Sequence, residues 1–137
     1  MARLSRLLDT NTCIYLIWRR PKEALQRFER FEVGEVGVSV ITVSELRYGV
    51  EKSTRPEQNL RALEQFLLPL EVPDFGPEAT VSYGRVRASL EERGMPIGPL
   101  DTLIAAHALS LGATLVTTNT REFERVSGLQ IEDWTAS

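Results

Sequence analysis

The sequence predicts an α/β fold, a mostly parallel sheet with helices on both faces. Short apolar runs rich in β-branched residues alternate with longer amphipathic segments along the 137 residues. The spacing between these runs suits right-handed crossovers that join parallel strands. Because this length corresponds to one domain, we predict a single domain over 1–137, with its core from about residue 6 to 134.

Five segments are predicted as strands of this sheet. Segments 6–8 and 36–41 precede the first two helical patterns, and the second is rich in valine and isoleucine. Segments 71–72, 114–117 and 129–131 are weaker candidates. In parallel sheets, functional groups collect beyond the carboxyl ends of the strands, where the strand order reverses.

Apolar residues at helical spacing predict the helices between these strands. Three amphipathic helices are indicated by Ala24, Phe28 and Phe31, by Leu60, Leu63 and Leu67, and by Ala79, Tyr83, Val86 and Leu90. A further helical run covers 13–18. Segment 100–109 is apolar on almost every face, which predicts a central helix buried on several sides.

Composition excludes several classes of protein. With a net charge of −3, the chain does not coat nucleic acid through bulk charge, so a phosphate-bearing substrate requires a local basic patch or metal ions. A single cysteine, Cys13, cannot form an intramolecular disulfide. We find no signal peptide pattern or membrane-spanning run, and expect a cytoplasmic protein.

Four acidic residues stand at strand-to-helix transitions: Asp9, Glu45, Asp101 and Glu122. Each has an ordinary explanation as a helix cap, and Glu45 fits a capping box that begins at Thr42. Taken together, they are expected to converge at one edge of the parallel sheet. Carboxylates brought together in this way repel one another unless a cation holds them.

Hard oxygen ligands of this kind favour Mg²⁺ or Mn²⁺. One histidine and one cysteine are too few for a zinc site built from several such ligands. A Ser-His-Asp triad is excluded unless His107 serves it, and the apolar stripe around His107 predicts a packed core histidine instead. Cys13 is expected to be a small buried apolar residue.

Four motifs carry a resemblance to a known family. They are LDTN at 8–11, ITVSELRYG at 41–49, IGPLDTLIAAHA at 97–108 and VTTNTREF at 116–123. In this order, over roughly 6–134, the sequence resembles the PIN-domain endoribonucleases, and among them the VapC toxins of bacterial toxin–antitoxin pairs. The resemblance implies a five-stranded parallel sheet, Mg²⁺-dependent cleavage of RNA with tRNA or rRNA as candidate substrates, and inhibition by a VapB-like antitoxin.

The resemblance also assigns roles to individual residues. Asp9, Glu45 and Asp101 match the family's three most constant acidic positions. Glu122 stands where many members carry aspartate, and Asn119 is close enough in sequence to share its role as a metal or water ligand. Thr10, Asn11, Thr117 and Asn119 are candidates to support these ligands through hydrogen bonds, although capping roles explain them equally well.

Substrate and partner contacts are expected from two further groups of residues. The basic candidates for RNA contact are Arg19, Arg20, Lys22, Arg47, Lys52 and Arg55, each of which also fits a solvated helix face. Apolar candidates for a subunit or antitoxin contact are Ile14, Leu16, Ile17, Trp18 and the helix at 46–50. The family implies a homodimer or a toxin–antitoxin hetero-oligomer that binds operator DNA through the antitoxin, and we expect an antitoxin arginine against the acidic cluster.

Two other functions compete with this interpretation. A haloacid-dehalogenase-type phosphohydrolase also begins with an aspartate after a strand, but it needs Asp-x-Asp, and here Asn11 occupies the second position. It also needs a later lysine, and no lysine follows Lys52. The second competitor is a catalytically inactive PIN-like binding module, which the joint presence of Asp9, Glu45 and Asp101 disfavours.

Overall fold

A computed structural model describes residues 3–135. Its sheet has four parallel strands in the order β2-β1-β3-β4. They are β1 (Arg6–Leu8), β2 (Val36–Val38), β3 (Thr114–Val116) and β4 (Ile131–Glu132). The predicted α/β class and parallel sheet are therefore confirmed.

Seven α-helices connect the strands within residues 3–135: α1 (Thr10–Ile14), α2 (Lys22–Glu29), α3 (Val40–Glu51), α4 (Pro56–Leu67), α5 (Pro77–Glu92), α6 (Pro99–Leu111) and α7 (Thr120–Phe123). A π-helical turn, Tyr15–Arg19, continues α1. Among these described residues, no helix is both long and apolar enough to cross a membrane.

Alternating side chains of the strands divide the core into two layers. Leu8 and Val116 pack on one face of the sheet with Leu46 of α3 and Leu63 of α4. On the opposite face, the neighbouring residues Leu7 and Leu115 pack with α5 and α6, among them Leu90 and Ile104. This period of two places helices on both faces, as predicted, and the central helix α6 is buried from Ile104 to Ala108.

The prediction of five strands is wrong. Segment 71–72 forms only a single parallel bridge, between Glu71 and Gly37. Its hydrogen bonds run from the Val38 N–H to the Glu71 carbonyl (2.9 Å) and from the Glu71 N–H to the Val36 carbonyl (3.1 Å). Pro73, which has no N–H and a fixed φ, follows two residues later, so the ladder does not extend.

The predicted second strand is too long, because the chain turns into α3 directly after Val38. The Ser39 hydroxyl accepts a hydrogen bond from the Ile41 N–H at 3.1 Å and caps this helix. The capping box predicted at 42–45 is therefore wrong, since Glu45 lies in the second turn of α3. Its carboxylate is not engaged in capping and is available to the sheet edge.

We predict that Gly37→Ala lowers the free energy of unfolding by about 1–3 kcal/mol. An added Cβ would lie 2.6 Å from the Glu71 carbonyl oxygen and 2.9 Å from Cδ1 of Leu4, so the bridge to Glu71 would have to move. Gly84→Ala in α5 is the matched control, since its Cβ would meet nothing within 4 Å. It should gain up to about 1 kcal/mol from helix propensity. Urea unfolding measures both, and equal effects of the two variants would contradict this account.

Candidate active site

The candidate site lies at the carboxyl edge of the sheet, where strand order reverses. Strand β1 lies between β2 and β3 in the sheet. The chain passes from β1 to β2 on one side of β1 and later adds β3 on its other side, so the strand order reverses at β1. The residues that follow β1 and β3 are Asp9 and Thr117, so the paired strands place them side by side. Such a reversal point is where parallel α/β sheets bind ligands.

Asp9 is held in one orientation by two donors. The Thr117 hydroxyl donates to Oδ2 at 2.6 Å, and the Thr12 N–H donates to Oδ1 at 2.9 Å. Asp9 is only 3% exposed, and burial raises the pKa of its carboxyl despite these hydrogen bonds. The charge of Glu45 acts in the same direction as burial. Asp9 therefore caps α1, as its sequence position suggested, and also belongs to the carboxylate edge.

Thr10 connects α1 to Glu45 on α3. Its hydroxyl donates to Oε1 of Glu45 at 2.7 Å and lies 3.3 Å from the hydroxyl of Thr42. Thr10 directly follows Asp9, so a single turn of chain fixes the positions of two acidic residues. This contact requires Glu45 to lie inside the helix, one turn beyond the cap at Ser39.

Asp101 and Glu122 are not helix caps, contrary to the alternative considered from the sequence. Gly98 and Asn119 occupy the N-cap positions of α6 and α7, and the two acids lie in the first turns of these helices. Negative charge is favoured there by the helix dipole. The Asn119 side-chain amide donates to Oε2 of Glu122 at 3.1 Å, and its backbone N–H donates to the Thr117 hydroxyl at 2.9 Å.

The four carboxylates share one electrostatic environment. Burial and the charges of Asp9, Glu122 and Glu45 raise the pKa of Asp101 from 3.8 to about 6. Within residues 3–135, none of the four acids forms an ion pair with a basic side chain. In the same part of the chain, no three acidic, histidine or cysteine side chains converge closely enough to enclose a metal ion by themselves.

This arrangement fits a hydrated Mg²⁺ or Mn²⁺ site better than a closed metal cage. Mg²⁺ is typically held by one or two carboxylates and completes its octahedron with waters and substrate phosphates. The donors here are hard oxygens, and the charges of Asp9, Glu122 and Glu45 add to burial in raising the pKa of Asp101. Asp9, Asp101, Glu45 and Glu122 supply carboxylate oxygens of the kind that Mg²⁺ and Mn²⁺ prefer.

His107 is a core residue, as predicted. It is 0% exposed, with Nδ1 2.8 Å from the Ser39 hydroxyl and Nε2 3.0 Å from the Asp74 carbonyl. Burial lowers its pKa, so the neutral ring accepts from Ser39 and donates to Asp74. Cys13 is also fully buried, and burial raises its thiol pKa, which leaves it unreactive.

The basic and apolar candidates divide according to their surroundings. All six basic candidates are exposed, and Arg19 lines a pocket that also contains Asn11 and Thr118. Leu16 and Ile17 belong to the core, whereas Ile14 and Trp18 are 38% and 40% exposed. One groove contains Glu45 together with neighbours that are mostly apolar. Its other lining residues are Ile14, Trp18, Leu46, Gly49 and Asn59.

Two residues of this edge were missed by sequence reasoning. Tyr15 and Thr118 line the pocket with Arg19. Thr118 follows Thr117 in the chain, so its place at the strand end could have indicated it. Tyr15 carries no comparable signal, because a tyrosine in an apolar run looks like a core residue. Asn11 lines this pocket and makes no side-chain hydrogen bond to the acids within residues 3–135.

Comparisons with known proteins agree with the class that this fold and edge define. The PIN domain family model matches residues 6–129. The tRNA(fMet)-specific endonuclease VapC of Salmonella typhimurium is 47% identical over 131 residues, covering 96% of this chain and 98% of that protein. Ribonuclease VapC2 of Haemophilus influenzae is 48% identical over the same length and with the same coverage. The chain therefore belongs to the PIN-domain family, and within it to the VapC ribonucleases.

A solved structure supports the same assignment. A chain of the crystal structure of VapBC2 from Rickettsia felis, bound to a DNA fragment from their promoter, superposes with a TM-score of 0.92 at 41% identity. The match covers 96% of this chain and 99% of that chain.

We predict that Glu122→Gln lowers the pKa of Asp101 in the metal-free protein, because it removes one of the charges that raise it. Carboxyl ¹³C NMR titration measures this pKa directly. Because the folded pKa lies above 3.8, the stability that Asp101 contributes is complete at low pH and is lost as the pH rises through about 6. Glu122→Gln should therefore also reduce this loss.

Glu124→Gln is the matched control for this titration. Glu124 is exposed, lies two residues further along the chain and does not act on Asp101. An unchanged pKa of Asp101 in Glu122→Gln, or an equal shift in both variants, would show that the carboxylates do not form one electrostatic group.

Proposed function

We propose that this VapC ribonuclease is a toxin that hydrolyses RNA with Mg²⁺ or Mn²⁺ bound by Asp9, Asp101, Glu45 and Glu122. The observation that carries the proposal is the ordered carboxylate edge, where Thr117, Thr10 and Asn119 hold Asp9, Glu45 and Glu122 by hydrogen bonds. Burial and the charges of these three acids also raise the pKa of Asp101 beside them. Such mutual repulsion is unfavourable in the empty protein and is relieved by a divalent cation. In a ribonuclease, a cation held by hard oxygen donors at this edge would serve phosphate chemistry.

The reaction in this proposal is hydrolysis of a phosphodiester: water attacks phosphorus in line with the leaving oxygen, the P–O bond to that oxygen breaks, and a proton from the water passes to the leaving oxygen. A bound divalent cation would neutralise the nonbridging phosphate oxygens and lower the pKa of the attacking water. Asp9 and Asp101 would hold the cation, and Glu45 would orient the water. Glu122, held by the Asn119 amide, would hold a second ion or a water.

Three hydrogen-bonding side chains position these carboxylates before substrate arrives. Thr117 holds Asp9, Thr10 holds Glu45 and Asn119 holds Glu122. Preorganised ligands avoid rearrangement during the reaction, and replacing residues that orient metal ligands typically lowers metal affinity or activity by about 10–100-fold. Asn11 is not one of these three residues and instead lines the neighbouring pocket that contains Arg19.

Transfer RNA is the proposed substrate, and its cleavage would stop translation in the cytoplasm. The Salmonella relative is named for specificity toward tRNA(fMet). Initiator tRNA is therefore the first RNA to test, with total RNA and mapped cleavage ends as the unbiased comparison. We propose that the whole chain, 1–137, acts as one PIN domain in this reaction.

An antitoxin is the proposed regulator. Relatives from Rickettsia felis and Salmonella typhimurium were solved as VapBC complexes bound to DNA. Here the groove formed by Ile14, Trp18 and Leu46 leads to Glu45, so an amphipathic antitoxin helix can lie in it and direct an arginine toward the carboxylates. We propose that the toxin dimerises or assembles with the antitoxin, and that operator DNA is contacted through the antitoxin.

The alternatives considered from the sequence now reduce to one. Membership of the PIN-domain family excludes a haloacid-dehalogenase-type phosphohydrolase. An inactive PIN-like module differs from the proposed enzyme in a single respect, because it would bind RNA or antitoxin without metal-dependent cleavage. Comparison of the wild type with Asp9→Asn separates these two.

We predict that Asp101→Asn lowers the RNA cleavage rate by at least about 100-fold, more than is typical for residues that only support a metal ligand. Wild-type cleavage should require Mg²⁺ or Mn²⁺ and be abolished by EDTA. The variant should be at least as stable as the wild type above pH 6, because it removes a charge that repels its neighbours. Gel assays on initiator tRNA and thermal unfolding measure the two effects.

Asp74→Asn is the matched control, since Asp74 is an exposed aspartate outside the carboxylate group. It should cleave at the wild-type rate. Wild-type cleavage by Asp101→Asn would overturn the metal-ligand assignment, and a metal-independent wild type would overturn the mechanism.

We predict that the antitoxin loses more than about ten-fold in inhibition when every arginine and lysine of its active-site segment is replaced by glutamine. A guanidinium is an always-charged, bidentate partner for a carboxylate, so its removal leaves the acids unpaired. Titration of both antitoxin forms against RNA cleavage and Mn²⁺ binding measures the effect. Undiminished inhibition by the form without basic residues would rule out occupation of the site by a basic side chain.

A further inference from the structure

A polar pocket of about 290 Å³ lies beside the carboxylate edge, and we call it the Arg19 pocket. Its walls are formed by Asn11, Ile14, Tyr15, Arg19 and Thr118. Two of these residues connect it to Asp9. Asn11 lies in the first turn of the helix that Asp9 caps, and Thr118 follows the threonine whose hydroxyl binds Asp9.

The pocket presents positive charge next to hydrogen-bonding groups. The Arg19 guanidinium carbon lies 5.2 Å from the centre of the Tyr15 ring, which is a cation–π contact. Within residues 3–135, Arg19 makes no ion pair with a carboxylate. The side chains of Asn11 and Thr118 make no hydrogen bonds in the same part of the chain. All three groups are therefore available to a ligand.

The backbone fixes the relative positions of the ring and the guanidinium. Tyr15 and Arg19 are the first and last residues of the π-helical turn. The Arg20 N–H donates to the Tyr15 carbonyl at 2.6 Å, and Arg20 has a left-handed φ of 49°, which is uncommon outside glycine. Single π-helical turns occur frequently at functional sites. The turn continues α1 up to Arg20, where the left-handed residue ends it, and holds Arg19 beside Tyr15.

We propose that the Arg19 pocket binds the single-stranded nucleotide adjacent to the phosphate that is cut. Arg19 pairs with the phosphate of that nucleotide, and its base packs against the pair formed by Arg19 and Tyr15. Asn11 and Thr118 donate hydrogen bonds to the sugar or the base. This inference depends on the proposed function for the identity of the ligand as RNA.

The acidity of the neighbouring edge explains why such a pocket is needed. Four carboxylates repel a polyanion, and the whole chain carries a net charge of −3. The Arg19 guanidinium, in the pocket that Asn11 and Thr118 also line, supplies local attraction for the RNA strand beside this edge. Arg20 is also exposed and basic, but it does not line the pocket. Comparing variants of Arg19 and Arg20 therefore distinguishes a specific contact in the pocket from a general effect of positive charge.

The test measures RNA binding and cleavage separately. Fluorescence anisotropy follows a labelled single-stranded oligouridylate in Mg²⁺ over a series of salt concentrations, in the Asp101→Asn background that blocks hydrolysis. Arg19→Gln should weaken binding about ten-fold at low salt. It should also reduce the slope of log Kd against log salt by about 0.7, the value expected for one lost phosphate contact with a single strand.

Matched variants complete the binding experiment. Arg20→Gln removes the same charge one residue away. It should change the affinity by less than about two-fold, and it should change the salt slope by less than the value expected for one phosphate contact. Tyr15→Leu should weaken binding, whereas Tyr15→Phe, which keeps the ring, should not. Equal effects of Arg19→Gln and Arg20→Gln, or no RNA binding by the parent protein, would overturn the proposal.

Cleavage of initiator tRNA by otherwise wild-type protein distinguishes this proposal from the proposed function. Arg19→Gln should raise KM with little change in kcat, and should leave the Mn²⁺ affinity measured without RNA unchanged. If the parent binds RNA through Arg19 but the wild type does not cleave it, the nuclease mechanism fails and the pocket stands. If the wild type cleaves and Arg19→Gln has a wild-type KM, the pocket fails and the mechanism stands.

Discussion

The hydrogen bond from the Thr117 hydroxyl to Asp9 is the contact on which the arrangement of this edge depends. It spans 2.6 Å between residues 108 apart in sequence, and it exists because β1 and β3 pair in parallel with Leu8 opposite Val116. Asp9 in turn caps α1, and the next residue, Thr10, holds Glu45. Thr117 also accepts from the Asn119 N–H, so α7 and Glu122 are placed by the same hydroxyl. One pair of strand ends thus orders three of the four acids.

The fourth acid, Asp101, shows that gathering the carboxylates at one edge has a free-energy cost. Asp101 enters from α6, a helix whose buried residues fix it against the sheet, so it cannot move away from its neighbours. Burial, together with the charges of the other three acids, raises its pKa to about 6, so the fold holds Asp101 where its charged form is disfavoured. Residues held in unfavourable electrostatic surroundings are frequently functional, because the same field that destabilises the empty site attracts a cation. The stability of the two core layers maintains the position of these acids.

Much of this structure could be predicted from the sequence because hydrophobic periodicity reports directly on burial. The alternation of Leu7 and Leu8, the amphipathic α4 and α5 and the buried α6 all follow from it. The errors arose where local preference and tertiary context disagree. Val40 and Ile41 favour strands, yet Ser39 caps a helix there, and Pro73 limits the expected fifth strand to one bridge. The spacing of the apolar residues predicts neither the helix start at Ser39 nor the single bridge before Pro73.

The candidate site was predictable in its members and not in its contacts. The position of an acid after a strand indicates which edge of the sheet it occupies. The hydrogen-bond partners of Asp9 and Glu45 depend on the strand register and on where the helix begins, and the sequence predicts both only to within a residue or two. The π-helical turn that places Arg19 beside Tyr15 has no sequence signature at all. Their positions after predicted strands and the family resemblance both indicated the acids, whereas only the three-dimensional arrangement revealed the pocket next to them.

The central claim is that the four carboxylates form one metal site, and anomalous diffraction from a crystal of the protein with Mn²⁺ tests it most directly. We expect a peak in direct contact with carboxylate oxygens of Asp9 and Asp101, with Glu45 and Glu122 bound directly or through water. A well-occupied Mn²⁺ that contacts none of these four acids, or an edge that remains without metal at saturating Mn²⁺, would contradict it.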